Sequence, residues 1–389
     1  MSAPRPALER LQRQWAVLAA LGSIGIAGFA GVLALRVGLD MALRWSIPTA
    51  VGLSWFLWRL RASLNRNHSP DDPELHPSLG AANLVTTARA ALAASLAGFL
   101  FLTPIRTAGT AWDWMPGLVY LSVAAMDCAD GRVARLTGNV TCLGSYLDTQ
   151  ADAFGLLLAG LLLVVSAKAP LPYLWVGTGY YVLQIAIRLR QAAGRPVEPV
   201  PPRPDARWAA GCQMVFAALA LLPLFTPQAT QPAAWVMTIA QGASLGRDWR
   251  IICRSAGTPD RTPPREHGVV VHQVLARGLP LALRFAVGIS LVLVVAAAPD
   301  GQWGDVPPPV QTAVLASTGL CVLGVVARLA AMLLSLLCGL WLMPTMPAGV
   351  AAVTLTAALS LVFTGAGDVR LWQPEDRILM RSGNSGADH

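Results

Sequence analysis

Long apolar runs, broken at intervals by short polar stretches, dominate the chain. A hydrocarbon core about 30 Å thick takes roughly 20 apolar residues in a helix. On that ruler the chain holds about twelve candidate spans, near 15–37, 41–60, 82–104, 111–137, 143–168, 170–191, 206–226, 230–252, 277–298, 309–326, 327–343 and 346–366. The polar breaks suggest the domain divisions. A stretch from Arg61 to Pro77, with Arg66, Asp71, Asp72 and Glu74, closes an N-terminal two-span segment with its linker at 1–78. Six spans follow in a core at 79–256, then a linker at 257–275, a four-span module at 276–370 and a polar tail at 371–389. The expected fold class is all-α: a polytopic transmembrane helical bundle with about two helices before a six-helix core and four after it.

Composition agrees with the pattern. The chain is 54% hydrophobic and only 13% charged, where a soluble domain carries about 25% charged residues. A net charge of +8 would suggest nucleic acid in a soluble protein. Here the basic residues lie at the ends of apolar segments, as the positive-inside rule expects, so no nucleic-acid partner is implied. With a cytosolic N-terminus, the arginine-rich connections 59–66, 188–207 and 247–265 all face the cytosol. Arg5, Arg10 and Arg13 precede an apolar run without a convincing cleavage site, which reads as a retained first span. Six cysteines without a C-x-x-C pair suggest neither a disulfide framework nor a zinc site.

Against that background one stretch stands out. Between Met126 and Phe154 the chain places four acids, Asp127, Asp130, Asp148 and Asp152, inside apolar sequence. Intramembrane carboxylates are expensive and face a polar cavity or a partner. Asp127 and Asp130 share a helical face with Ala134, and Asp148 and Asp152 lie four apart on the next segment. Gly138, Asn139 and Gly144 punctuate the chain between the pairs, so the two helices can fold back and turn their acids toward each other. Convergent carboxylates suit hard divalent cations such as Mg²⁺ or Mn²⁺, particularly beside phosphates.

The run Asp127-x2-Asp130-Gly131-x2-Ala134-Arg135-x8-Gly144-x3-Asp148-x3-Asp152 resembles, position for position, the signature of the CDP-alcohol phosphotransferase family. Upstream, Asn83-x2-Thr86-x2-Arg89 resembles the pattern that precedes the signature in that family. The resemblance implies transfer of a phosphatidyl group from CDP-diacylglycerol, or of another CDP-linked alcohol, to a small alcohol, with release of CMP. It also implies two ions, Mg²⁺ or Mn²⁺, held by Asp127, Asp130, Asp148 and Asp152, with Asp152 also a candidate general base. Asn83, Thr86, Arg89, Gly131, Ala134, Arg135 and Gly144 would line the CDP and phosphate end. A multi-pass protein of a bacterial cytoplasmic membrane, in contact with membrane lipids and with its active site facing the cytosol, follows from the same likeness, and a homodimer is allowed.

The acceptor side is less determined. The Pro- and Arg-rich connection 191–208 and the run 206–214 resemble the basic loop and following helix of phosphatidylglycerophosphate synthases, although that family more often has Lys where this chain has Arg. Arg188, Arg190 and Arg207 could therefore hold an acceptor phosphate, as in glycerol 3-phosphate. Loop arginines that only obey the positive-inside rule explain them equally well. Inositol phosphate as acceptor, or CDP-choline or CDP-ethanolamine with diacylglycerol, remain alternatives within the enzyme class. A transporter or a metal-binding scaffold is the alternative outside it. The C-terminal module resembles small four-span proteins of the DoxX type in composition. Its charges, Arg284 and Arg328, are expected to serve structure by snorkelling near helix ends.

Overall fold

The computed structural model describes residues 5–102, 111–137, 141–200, 204–253, 278–296, 303, 306–338 and 348–364. Among these, twelve α-helices follow the apolar pattern closely. They are α1 (Arg5–Arg36), α2 (Leu39–Ala62), α3 (Gly80–Phe99), α4 (Ala111–Thr137), α5 (Cys142–Val165), α6 (Trp175–Ala192), α7 (Pro204–Leu221), α8 (Pro227–Ile252), α9 (Leu279–Ala296), α10 (Pro308–Leu323), α11 (Ala327–Leu337) and α12 (Ala348–Thr364). No β-strand occurs among the described residues. Two helices, Pro6–Arg36 and Cys142–Val165, are long and apolar enough by themselves to cross a membrane, and Ala209–Leu221, Leu279–Leu293 and Pro308–Leu323 are shorter apolar helices.

The chain forms two compact units, residues 1–165 with 221–223, and residues 166–220 with 224–389. In the first unit α3 is the centre: it packs against α2, α4 and α5, and a Cβ at Gly155 of α5 would lie 3.5 Å from the Tyr120 ring of α4. Small residues allow this. Ala90, Ala93, Ala94, Ala97 and Gly98 are buried on α3, and small side chains let helix backbones approach closely. The α1–α2 pair closes against the same helix. Trp15 Nε1 donates to the Leu57 carbonyl at 2.8 Å, and the Leu79 amide donates to Gln14 Oε1 at 2.9 Å.

The polar stretch between α2 and α3 is ordered by Asn67, which is fully buried. Its amide donates to the carbonyls of His76 (3.0 Å) and Ser78 (2.8 Å). The Cys142 amide donates to the His68 carbonyl at 2.9 Å, which ties this stretch to the start of α5. Thr141 begins α5 as its cap, with Oγ1 accepting from the Gly144 amide at 3.0 Å.

In the second unit, α6 packs on α8, and α8 on α12; α9 packs on α10 and α12, and α11 on α10 and α12. Cys212 of α7, Val287, Cys321, Leu334 and Leu361 belong to its apolar core. Lys168, the sole lysine, donates to the Ala220 carbonyl at 2.9 Å, and Thr230 Oγ1 donates to the Lys168 carbonyl at 2.6 Å. The described cysteines Cys142, Cys212, Cys253, Cys321 and Cys338 are free thiols.

Candidate active site

The acids do converge, but through a third helix. Arg89 projects from α3 with its side chain only 1% exposed. Its Nη1 donates to Asp127 of α4 and, at 2.7 Å, to Asp152 of α5, and its Nη2 donates to Asp148 of α5 at 2.6 Å. Three helices are joined at one guanidinium. The two acid-bearing helices turn their carboxylates toward each other, as expected, with Arg89 of α3 at the meeting point; Gly138 and Asn139 lie outside the described residues. A planar fork with several donors is suited to such a junction, since one group can serve more than one carboxylate.

Carboxylate oxygens of Asp127, Asp148 and Asp152 lie within 4.8 Å of one another. Asp148 is the most open, with 48% of its side chain exposed, against 31% for Asp127 and 29% for Asp152. The site therefore has a buried floor, Arg89, and an accessible rim of oxygen. Among the described side chains, three carboxylates face one guanidinium, an excess of negative charge that a divalent cation matches. An all-oxygen donor set suits Mg²⁺ or Mn²⁺, so the residues fit the expected metal. The side chains of Asp130, Gly131, Ala134 and Arg135 lie outside the described ones.

Asn83 and Thr86 occupy the same helix as Arg89, one to two turns earlier, and both are buried. Asn83 Nδ2 donates to the Leu79 carbonyl at 2.7 Å, with longer contacts to Thr141 Oγ1 (3.4 Å) and Asn67 Oδ1 (3.5 Å). Thr86 Oγ1 donates to the Ala82 carbonyl at 3.1 Å. Gly144 lies directly against this group: a Cβ there would meet Asn83 Oδ1 at 2.8 Å. The reason for glycine is the close approach of α5 to α3, which sets the height of Asp148 and Asp152 beside Arg89.

Two neighbours escaped sequence reasoning. Arg59 of α2 donates to Gln150 Oε1 at 3.4 Å, and the guanidiniums of Arg59 and Arg66 both lie over the Tyr146 ring, at 5.5 and 4.9 Å from its centroid. Tyr146 and Gln150 belong to α5 and alternate with Asp148 and Asp152 along it, so this helix carries its acids on one face and meets cations on another. The Arg59-to-Tyr146 separation in sequence leaves no local pattern to read.

Of the acceptor candidates, Arg190 is used within its own unit. Its Nε donates to the Pro196 carbonyl at 2.7 Å and its Nη2 to the Cys253 carbonyl at 3.2 Å. Arg188 is exposed, and the side chain of Arg207 lies outside the described residues.

Residues 79–242 match the CDP-alcohol phosphatidyltransferase family. The match takes in the whole Asp127–Asp152 signature and Arg89, covers less than half of the chain, and leaves out α1, α2 and the helices after α8. It supports phosphatidyl transfer from a CDP-alcohol as the chemistry of this segment. No curated protein and no solved structure matches the chain.

Proposed function

We propose that the protein is an integral-membrane CDP-alcohol phosphatidyltransferase that moves a phosphatidyl group from CDP-diacylglycerol to a small alcohol such as glycerol 3-phosphate and releases CMP. The observation that carries this reading is the convergence of Asp127, Asp148 and Asp152 on Arg89 inside the family-matched segment. The chain lies in a bacterial cytoplasmic membrane as a multi-pass protein, with the acids toward the cytosol, where a nucleotide head group arrives.

Asp127, Asp130, Asp148 and Asp152 would hold two divalent ions, Mg²⁺ or Mn²⁺, which supply charge neutralisation at the diphosphate and at the leaving oxygen. The rest is done by the chain. Arg89 gathers the acids at one place and offsets their mutual repulsion before substrate arrives. Asp152 takes the proton from the acceptor hydroxyl as its oxygen bonds to the β-phosphorus and the bond to CMP breaks. The Asn83–Thr141–Gly144 contact fixes the height of α5 against α3 and so keeps Asp152 in reach.

The test uses membranes containing the full chain, labelled CDP-diacylglycerol, Mg²⁺ or Mn²⁺, and a panel of glycerol 3-phosphate, inositol phosphate and serine, with CDP-choline and diacylglycerol as a separate arm. CMP release that disappears in Asp152→Asn is expected with the first donor. Absence of Asp152-dependent CMP release in every arm sinks the proposal.

A further inference from the structure

A groove of about 550 Å³ runs along the first unit between α1, α2, α3 and α4. Its walls include Gly25 and Ile26 of α1, Leu53 and Leu57 of α2, and Ala88 and Ala91 of α3. From Leu84 to Phe99 the wall on α3 extends about 22 Å at the helical rise, a large part of a hydrocarbon core of about 30 Å. The hydroxyls in the wall are already satisfied within their own helices: Thr49 donates to the Trp45 carbonyl (2.7 Å), Thr87 to Asn83 (2.7 Å) and Ser95 to Leu92 (2.6 Å). Such a lining asks for a long apolar occupant.

The two ends of the groove differ in how their arginines are placed. On α2 the wall positions Trp45, Thr49, Leu53 and Leu57 recur every four residues, and the next position in that row is Arg61. Its guanidinium lies 4.8 Å from the centroid of the Trp15 ring, an Arg and Trp pairing suited to the head-group level. Arg10 and Arg13 of α1 lie near the same end and are exposed. At the opposite end Arg44 is paired with Asp40 at 2.9 Å, and Arg36 at the end of α1 is exposed. Only the Arg61 end joins an arginine in the row of wall positions to an indole, Trp15, and an anionic head group finds its complement there.

We propose that this groove holds one acyl chain of an anionic glycerophospholipid of the bilayer, with the head group against Arg61 and Trp15. Half of the groove is built by α1 and α2, outside the family-matched segment, so the site is an addition to the phosphotransfer unit. The inference rests on the chain lying in a membrane and is independent of the transfer reaction.

The test reads retained lipid by native mass spectrometry on the purified full chain, offered phosphatidylglycerol and phosphatidylcholine of equal chain length. The wild type is expected to prefer phosphatidylglycerol about fivefold, the increment of one arginine near an anionic lipid. Arg61→Gln should bring that preference close to parity. Gly25→Leu should remove retained lipid, because a Cβ at Gly25 meets nothing within 4 Å and its branched end fills the groove without displacing a helix. Ala88→Leu, at an exposed position on the facing wall, should do the same and serves if the first variant unfolds. Equal retention of both lipids by the wild type, or unchanged retention in the filled variants, overturns the proposal. Displacement of the lipid by one equivalent of CDP-diacylglycerol also overturns it, since the groove would then belong to the transfer substrate.

Discussion

Two buried arginines, one in each unit, show how differently the same side chain can be used. Arg89 meets three carboxylates contributed by two other helices. Arg284, 5% exposed on α9, meets backbone: its Nε donates to the carbonyls of Cys321 (3.1 Å) and Val322 (3.0 Å), and its Nη2 also reaches Val322. Those carbonyls belong to the last turn of α10, where Gly324 turns left-handed at φ 70°. Helix ends leave carbonyls unsatisfied and carry partial negative charge, so Arg284 is accounted for as a cap and needs no ligand. The structure thereby replaces the snorkelling expected of Arg284 with a capping contact. Nothing of that kind explains Arg89, because helix geometry does not require three acids at one point. A buried charge that completes backbone belongs to the fold, and one that assembles acids from distant segments belongs to chemistry.

The sharpest way to break this comparison is to remove charge at each site. Asp152→Asn should lower CMP release by at least about a hundredfold, the low end for loss of a general base, with folding retained by circular dichroism. Arg89→Ala should cost about 3–5 kcal/mol in stability, as for a broken buried ion pair, and should abolish activity as well. Arg89→Lys keeps the charge but loses the fork, and should reduce activity while thermal unfolding shifts less than in the alanine variant. Arg284→Met should cost only about 1–3 kcal/mol, the range for leaving hydrogen-bonding groups unmade. Its CMP release at a permissive temperature should equal that of the wild type. Equal activity loss in the Arg284 and Arg89 variants would end the distinction.

Gly144→Ala tests how the acids are placed. Its Cβ would press on Asn83 Oδ1 at 2.8 Å, so a loss of about 1–3 kcal/mol is expected, as for overpacking. Combined with Asn83→Ala, which removes the opposing atom, part of the stability should return in a double-mutant cycle. The smallest effect belongs to Thr141→Ala, which deletes the α5 cap and should lower the unfolding free energy by about 1 kcal/mol.

Much of the fold was legible because a run of apolar residues has few alternatives: every candidate span has a helix beneath it, within a few residues at most ends. The four aspartates were legible because each interrupts an otherwise apolar run. Arg89 was only half legible. Its position in the Asn83-Thr86-Arg89 pattern could be read, but not that it would be the common partner of Asp127, Asp148 and Asp152, since that depends on how α3 packs against both α4 and α5. Gly144, expected at the CDP and phosphate end, also packs against Asn83, a contact the sequence does not reveal. For Arg89 and Gly144 the missing information is a contact between segments far apart in the chain.

The central arginine also bears on how the protein is made. Arg89 is synthesised 38 residues before Asp127, 59 before Asp148 and 63 before Asp152. On the membrane reading, α3 leaves the ribosome carrying a cation whose insertion costs about 2.5–3.5 kcal/mol at the middle of a helix, with every countercharge still to be translated. The first unit must then wait for α5 before α3 can settle, and the order of translation makes the active site the last part of that unit to become electrically neutralised.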